Sequence, residues 1–425
     1  MSFVEKHYRY NFAMNLLDGG FFSLGLAFWS ATTVLPLYVS HLSAAPWVIS
    51  LVAAITQAGW FLPQLLTARR VGGLTRRLPF VLQMTLHERL PVLLLGLSIL
   101  LWPRLPAPAG LAIFFVLLFW QSSGGGLTAP GWVDLVARVI PLNRRGRLLG
   151  FTNLAGSALG ALGAILVAYF LRVYDYPRGF AYTFCTGAVA FALSYVFLAF
   201  VREPAVENLA TQQPRRDFWR SLPAVLRSEP NLRRYLLARV PGIFGVAANG
   251  FLAVYAVQRF GLSDQAAGGY TAALMLSGAL ANPVLGLLGD RLGHKVVMEL
   301  SLAAQALALA IALLAPAADW FFLVFILQGV QGAGAMIAIV SIAMEFGSPA
   351  ERPTIVGLAN TTQGLFYMIA PPLAGLLAGV AGYRAAFWAS LAACGLALLA
   401  FRLIVAEPRR HGAGTVPYLL GEDQL

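Results

Sequence analysis

Fifty consecutive residues, from Gly19 to Ala68, pass without one Asp, Glu, Lys or Arg. Charge-free runs also cover 105–133, 148–171, 179–201, 240–258, 265–289, 320–344, 353–383 and 385–401, and interrupted ones lie at 78–103 and 296–318. About 20 apolar residues cross the hydrocarbon core of a bilayer, so a chain built from such runs folds within lipid. Charged residues make up 11% of it, against about 25% in soluble domains. Backbone groups in lipid must be satisfied inside the structure, which leaves helices or a closed barrel. The period-two alternation of barrel strands is absent. The opening run holds two spans divided around Ser40–Pro46, so the expectation is twelve helices in an all-α polytopic fold. A cleavable signal peptide is not expected, because the first apolar stretch outruns signal length and leads straight into a second span.

The second half of the chain repeats the first. Leu16, Leu17, Ser43 and Pro63 return as Leu236, Leu237, Ser263 and Pro283 at an offset of 220 residues. Gln121, Arg145, Gly150, Asn153, Tyr176 and Phe180 return as Gln328, Arg352, Gly357, Asn360, Tyr383 and Phe387 at an offset of 207, so one deletion of 13 residues joins the two registers. Both halves end alike, in Val201-Arg202-Glu203-Pro204 and Val405-Ala406-Glu407-Pro408. Two six-span halves of one ancestry mark a secondary transporter. The domains expected are a bundle over 1–201, a linker over 202–233, a second bundle over 234–410 and a tail over 411–425. Within the linker, Phe218, Trp219, Leu222, Val225 and Leu226, with Arg216, Arg220 and Arg227 between them, suit an amphipathic helix on the membrane surface. Pro223 works against it, and an unstructured basic linker is the alternative.

A net charge of +12 invites a nucleic-acid reading, which its distribution excludes. Assigning loops alternately to the two sides puts 23 Lys and Arg residues on the side of the N-terminus and only Arg104, Arg172, Arg178, Arg259 and Arg384 opposite. By the positive-inside rule both termini are cytoplasmic, in a plasma (inner) membrane. Cys185 and Cys394 fall in spans 6 and 12, where packing as small apolar residues is the expected role.

Where span 8 leaves the membrane stand Gly286, Gly289, Asp290, Arg291, Gly293, His294 and Lys295. The glycines allow another helix to approach closely, and Asp290 can accept hydrogen bonds from a helix N-terminus. This cassette resembles the signature of the major facilitator superfamily, Gly-x-Leu-x-Asp-Arg-x-Gly-Arg-Lys, with His294 in place of a basic residue. The first half has arginines at the equivalent site (Arg69, Arg70, Arg76, Arg77) and no acid. The resemblance implies a twelve-span transporter in which Asp290 latches span 8 to the start of span 5, near Leu148. It also implies that spans 1, 4, 7 and 10 line a central cavity, that spans 2, 5, 8 and 11 form the interface between halves, and that spans 3, 6, 9 and 12 are an outer scaffold.

Ionisable residues inside spans cost at least about 2.5–3.5 kcal/mol each on insertion scales and are functional candidates by default. They are Asp18 in span 1, His87, Glu88 and Arg89 in span 3, Asp134 near the end of span 4, Arg239 in span 7 and Glu299 in span 9. By depth, Asp18 and Arg89 can meet, whereas Glu88 and Arg89, as helix neighbours, are expected to find separate partners. Asp18, Glu88, Arg89, Asp134 and Arg239 are the candidates for proton coupling or gating. Asp18 and Arg239 lie one residue from symmetry equivalence and are expected to pair when the cytoplasmic mouth closes. For the solute, Trp29, Gln121, Asn249, Gln328 and Gln331 are the expected cavity lining, a mixture that suits an uncharged or amphipathic organic molecule.

No cofactor is expected, and neither clustered metal ligands nor a nucleophile–base pair emerges, so an enzyme is disfavoured. The expectation is a monomeric transporter that moves a small organic solute by alternating access, coupled to protons and directed outward, with membrane lipid as its surroundings. A lipid or lysolipid flippase of the same fold and a proton-coupled uptake symporter are the alternatives.

Overall fold

A computed structural model of the chain describes residues 3–205, 229–346 and 352–407. The expected linker helix and the tail lie outside them. Everything described is helix, turn or irregular chain, and ten helical segments are long and apolar enough to cross a membrane. They are spans 3 to 6 (Leu78–Leu101, Ala107–Val139, Leu142–Val173, Arg178–Ala199), span 7 (Pro230–Phe260) and spans 8 to 12 (Ala266–Leu292, His294–Leu314, Trp320–Met344, Arg352–Ala381, Tyr383–Leu403). The two remaining crossings are interrupted: span 1 is Phe3–Phe28 followed by Val34–Leu42, and span 2 is Pro46–Phe61 followed by Gln64–Gly72. Span 5 starts at Leu142, a turn and a half before the expected Leu148. The face reached by the N-terminus is the near face, and the other the far face.

Spans 1 and 7 break at equivalent places. Span 1 is irregular from Trp29 to Thr33, and span 7 passes from its first helix at Gly245 through a short 3-10 turn at Asn249–Phe251 into Leu252–Phe260. Trp29 and Asn249 are 220 residues apart, the offset of the repeat. A broken helix at membrane depth survives only where protein or a water-filled cavity satisfies its backbone. At the first break Leu35 N–H reaches Ser30 O (3.0 Å), and the Thr33 hydroxyl bonds that of Ser30 (2.6 Å). At the second, 3-10 bonds run from Val246 N to Ile243 O and from Asn249 N to Val246 O.

Small residues set how closely the spans approach. A carbon atom added at Gly124 would meet the backbone of His87 and Glu88, and one at Gly126 the carbonyls of Gly59 and Trp60, so spans 2, 3 and 4 cross at this glycine run. Cys185 packs on Gly96 and Cys394 on Gly245, in the small apolar role expected of them.

Each half is also tied by an equivalent clasp. Asn11 exchanges two 2.9 Å bonds with the backbone of Arg202, and Asn231, its counterpart at offset 220, does the same with Ala406 (2.8 and 2.9 Å). The Glu203 carboxylate then accepts the N–H groups of Arg77 (2.7 Å) and Leu78 (2.8 Å) at the start of span 3, where a helix N-terminus favours negative charge. In the second half the Glu407 carboxylate packs on Gly293, whose φ of +99° lets the chain turn from span 8 into span 9.

Candidate functional site

Between the halves lies a cavity of about 480 Å³. Both breaks reach it, through Ala31 and Thr32 on span 1 and Val246, Asn249 and Gly250 on span 7. Spans 2, 5, 8, 10 and 11 complete the wall with residues such as Gln57, Asn153, Asn282, Gln328, Gln331 and Gln363. Among the described residues that line it, none is Asp, Glu, Lys, Arg or His, and seven carry carboxamides.

Of the expected lining, Asn249, Gln328 and Gln331 are in place. Trp29 and Gln121 are not: the indole Nε1 donates to Gln121 Oε1 (3.1 Å), and both residues are buried in the core of the first half. This is the same span 1 to span 4 contact that Asn249 and Gln328 make in the second half (3.1 Å). Sequence reasoning missed Gln305 of span 9, fully buried, which bonds Asn249, Gln328 and the Gly245 carbonyl. A lone Gln in an apolar scaffold helix was the signal for it.

The membrane charges of the first half gather behind the cavity. Asp18 Oδ1 accepts from the Ser194 hydroxyl (2.6 Å) and lies 3.5 Å from Arg89 Nη2. Arg89 also donates to Ser194 Oγ (2.8 Å), the Phe191 carbonyl (3.1 Å) and the Thr85 hydroxyl. Its Nη1 stands 3.6 Å from Glu88 Oε2, which corrects the expectation that these neighbours stay apart: the long guanidinium folds back along its own helix. All three charged residues are buried. Span 1 turns Gly19 and Ser23 toward Thr152 and Gly156 of span 5, so Asp18 looks the other way, into spans 3 and 6. It belongs to a cavity span but not to the cavity wall. Offset 220 pairs Asp18, Glu88 and Arg89 with Ala238, Ala308 and Leu309, so the second half has no such cluster.

Arg239 is buried, donates to Gln363 and lies 5.5 Å from the Tyr235 ring. Asp18 and Arg239 therefore have separate partners in this conformation. Asp134 is half-exposed at the near face, bonded to Arg77 Nε (2.6 Å) and Arg138 Nε (3.2 Å), a topological anchor more than a buried carrier. Glu299 pairs with Lys295 and Arg402, both at 3.6 Å. His87 accepts from the Trp120 indole (3.0 Å).

In the span 8 cassette, Lys295 Nζ donates to the Val405 carbonyl (2.7 Å) and His294 Nδ1 meets Glu345 Oε1 (2.8 Å), contacts within its own half. Asp290 and Arg291 are exposed. Gly289 is closely approached by His294 and Val297 of span 9, while no described residue lies within 4 Å of a carbon added at Gly286. Spans 5 and 8 instead touch closer to the far face, where Gly160 meets Met275 and Gly268 meets Ala164 and Ala168. There the halves are also joined by Thr33 and Thr271 hydroxyls (2.6 Å) and by His41 Nε2 and Asp264 Oδ2 (2.7 Å).

A family model described as Major Facilitator Superfamily matches residues 235–417. An uncharacterized protein of Mycobacterium tuberculosis is 25% identical over 236 residues, 53% of this chain and 43% of that protein, so the match spans less than half of that relative's length. A probable nitrate/nitrite transporter, NarK2, of the same organism is 29% identical over 359 residues, 81% of this chain and 84% of the relative. The solved structure of the xylose transporter XylE from E. coli, in a partially occluded inward open conformation, overlays with a TM-score of 0.68 over 94% of this chain and 98% of that one, at 15% identity, which is a likeness of fold. The cassette, the repeated halves and the twelve crossings agree with these matches: the second half of the chain matches the major facilitator superfamily, and the whole chain has the multi-pass helical fold of the solved transporter.

Proposed function

We propose that the protein exports a small uncharged or amphipathic organic solute across a bacterial plasma membrane by alternating access, in exchange for protons, with its near face in the cytoplasm. The observation that carries the solute class is the neutral, carboxamide-rich wall of the central cavity. Taking an ion out of water into such a wall costs several kcal/mol without a counter-charge, whereas a neutral polar group needs only its hydrogen bonds. Polar groups are contributed from both halves, which suits a soluble molecule better than a lipid with one polar end.

For coupling, Asp18, Glu88 and Arg89 supply two carboxyls for one guanidinium, so one proton brings the trio to neutrality. Span 1 carries Asp18 and the first break, which links proton binding to the segment that must move. The abundance of Arg and Lys on the near face supports its cytoplasmic placement. Asp290, exposed at that face, is suited to meet the start of span 5 when the halves close there.

A second reading, uptake of nitrate or nitrite, rests on the likeness to the mycobacterial NarK2 and on Arg239, one hydrogen bond behind the cavity residue Gln363. Reconstitution of the purified protein into liposomes with an imposed pH gradient separates the readings. Neutral organic solutes should accumulate in the direction opposite to proton flow. Co-directional accumulation would mean symport, and exchange of nitrate or nitrite alone would replace the first reading with the second.

A further inference from the structure

We propose that Asn249 and Gln328 form a fixed donor–acceptor pair that selects neutral solutes bearing an adjacent hydrogen-bond donor and acceptor, as in a primary carboxamide or a hydroxyl group, and that Gln305 is the positioning residue that sets its polarity. The proposal rests on the reading of the central cavity as the solute site.

The polarity originates in the backbone. Gly245 ends the first helix of span 7, and Asn249, four residues on, gives its N–H to Val246 O (3.1 Å) instead of to Gly245. A carbonyl can only accept, so the atom that Gln305 turns to Gly245 O, 3.1 Å away, is Nε2. The other hydrogen of that Nε2 goes to Asn249 at 2.6 Å, which must present Oδ1. The same Oδ1 accepts from Gln328 Nε2 (3.1 Å), whose second hydrogen goes to Gln305 Oε1 (3.0 Å). Turning over any one of the three amides would set donor against donor or acceptor against acceptor, so the orientation is held collectively.

The remaining valences are few. Both amide hydrogens of Gln305 and of Gln328 are used, and Asn249 Oδ1 accepts twice. Gln328 Oε1 accepts from no protein group among the described residues, and Asn249 Nδ2 spends one hydrogen on Gln305 Oε1 at 3.4 Å, leaving one over. Asn249 and Gln328 line the cavity, and Gln305 does not. A solute group with both a donor and an acceptor completes both leftover valences. One with its nitrogen or oxygen capped leaves a desolvated acceptor unmet. Thr85, the counterpart of Gln305 at offset 220, bonds Glu88 and Arg89, so the device belongs to the second half alone.

The test uses the purified full-length protein and a panel of neutral solutes in matched pairs, each primary carboxamide with its N,N-dimethyl form and each alcohol with its methyl ether. Affinity is read from ligand-dependent melting shifts. Wild type should bind the uncapped members about tenfold or more tightly, the scale of one unmet buried hydrogen bond, and Gln305→Met should erase that ratio. Should Gln305→Met fail to fold, Gln328→Met, which leaves Gly245 O satisfied, should erase it instead. Binding of neither member, equal binding of both, or a ratio retained in the variant that folds would overturn the proposal. Gradient-driven transport of some other solute would then leave the function above standing, while absence of all such transport would remove both.

Discussion

Arg89 holds together a group of side chains that would otherwise be untenable in lipid. It meets Asp18 at 3.5 Å and Glu88 at 3.6 Å, and its remaining N–H groups find Ser194, Phe191 O and Thr85. Removing one partner of a buried charge pair typically costs about 3–5 kcal/mol, because the other charge is stranded, whereas removing every partner together is often neutral. Arg89→Met should therefore lower unfolding stability in detergent by about that much, and the triple change Asp18→Asn, Glu88→Gln, Arg89→Met should recover most of it. A loss under about 1 kcal/mol for Arg89→Met would show that the cluster is not held by charge. Asp18→Asn alone, which keeps an acceptor for Ser194, should leave the protein folded and abolish gradient-driven accumulation while sparing downhill exchange. Undiminished accumulation would move the proton site to Glu88. At this scale the sequence was informative about partners, since depth alone brought Asp18 to Arg89, and silent about direction. Which face of span 1 carries Asp18 is decided by Gly19 and Ser23 packing on span 5, a tertiary contact that no local pattern encodes.

Spans 1, 2 and 7 depart from straight membrane helices, and only the break in span 1 gives little notice in the sequence, since Pro63 stands at the break in span 2. Span 7 carries Pro241 within its first helix and Gly250 in its 3-10 turn, residues that unsettle helices. Span 1 breaks at Trp-Ser-Ala-Thr-Thr, where helix propensity is only mildly poor. What holds it open is a set of hydroxyl contacts reaching as far as Thr271 in the other half. The repeat was the better guide, since the 220-residue offset carries one break onto the other. Glycines are more legible, because a run of three in an apolar span signals close crossing. Gly126 is the tightest test of that logic, with carbonyls of two span 2 residues where a side chain would go. Gly126→Val should cost about 1–3 kcal/mol or more from overpacking, measured by thermal unfolding, while Gly150→Ala, with nothing within 4 Å, should be nearly silent. Equal effects at the two positions would sink the crossing argument.

As a whole, the molecule has its halves packed along spans 2 and 11 as far as Gln64 and Asn360 (3.3 Å), a cavity that reaches from the two breaks toward the near face, and a second junction of the halves at the far face. The contacts that join them there differ in kind from those inside each half. Thr33 with Thr271 and His41 with Asp264 cross between halves, so a transporter that opens on that side must break them in every cycle. His41 stacks on Tyr176 at 4.5 Å, and burial pushes the Tyr176 phenol up, so that ring stays a neutral platform beneath the imidazole. The bridge between His41 and Asp264 is partly solvated and contributes little to stability, which makes it suitable as a contact that forms and breaks. Its effect is on populations: a contact made in one state and not in the other shifts the equilibrium by its own free energy. Asp264→Asn combined with Thr271→Val should therefore favour opening at the far face. Cysteines introduced as His41→Cys and Asp264→Cys, joined by a short bifunctional thiol reagent, should block transport completely, and a cleavable reagent should restore it on reduction. The native Cys185 and Cys394, packed on Gly96 and Gly245, serve as the control once replaced by alanine. Transport that continues with the two positions crosslinked would show that the halves need not separate there, and the cycle would have to be carried by the cavity side alone.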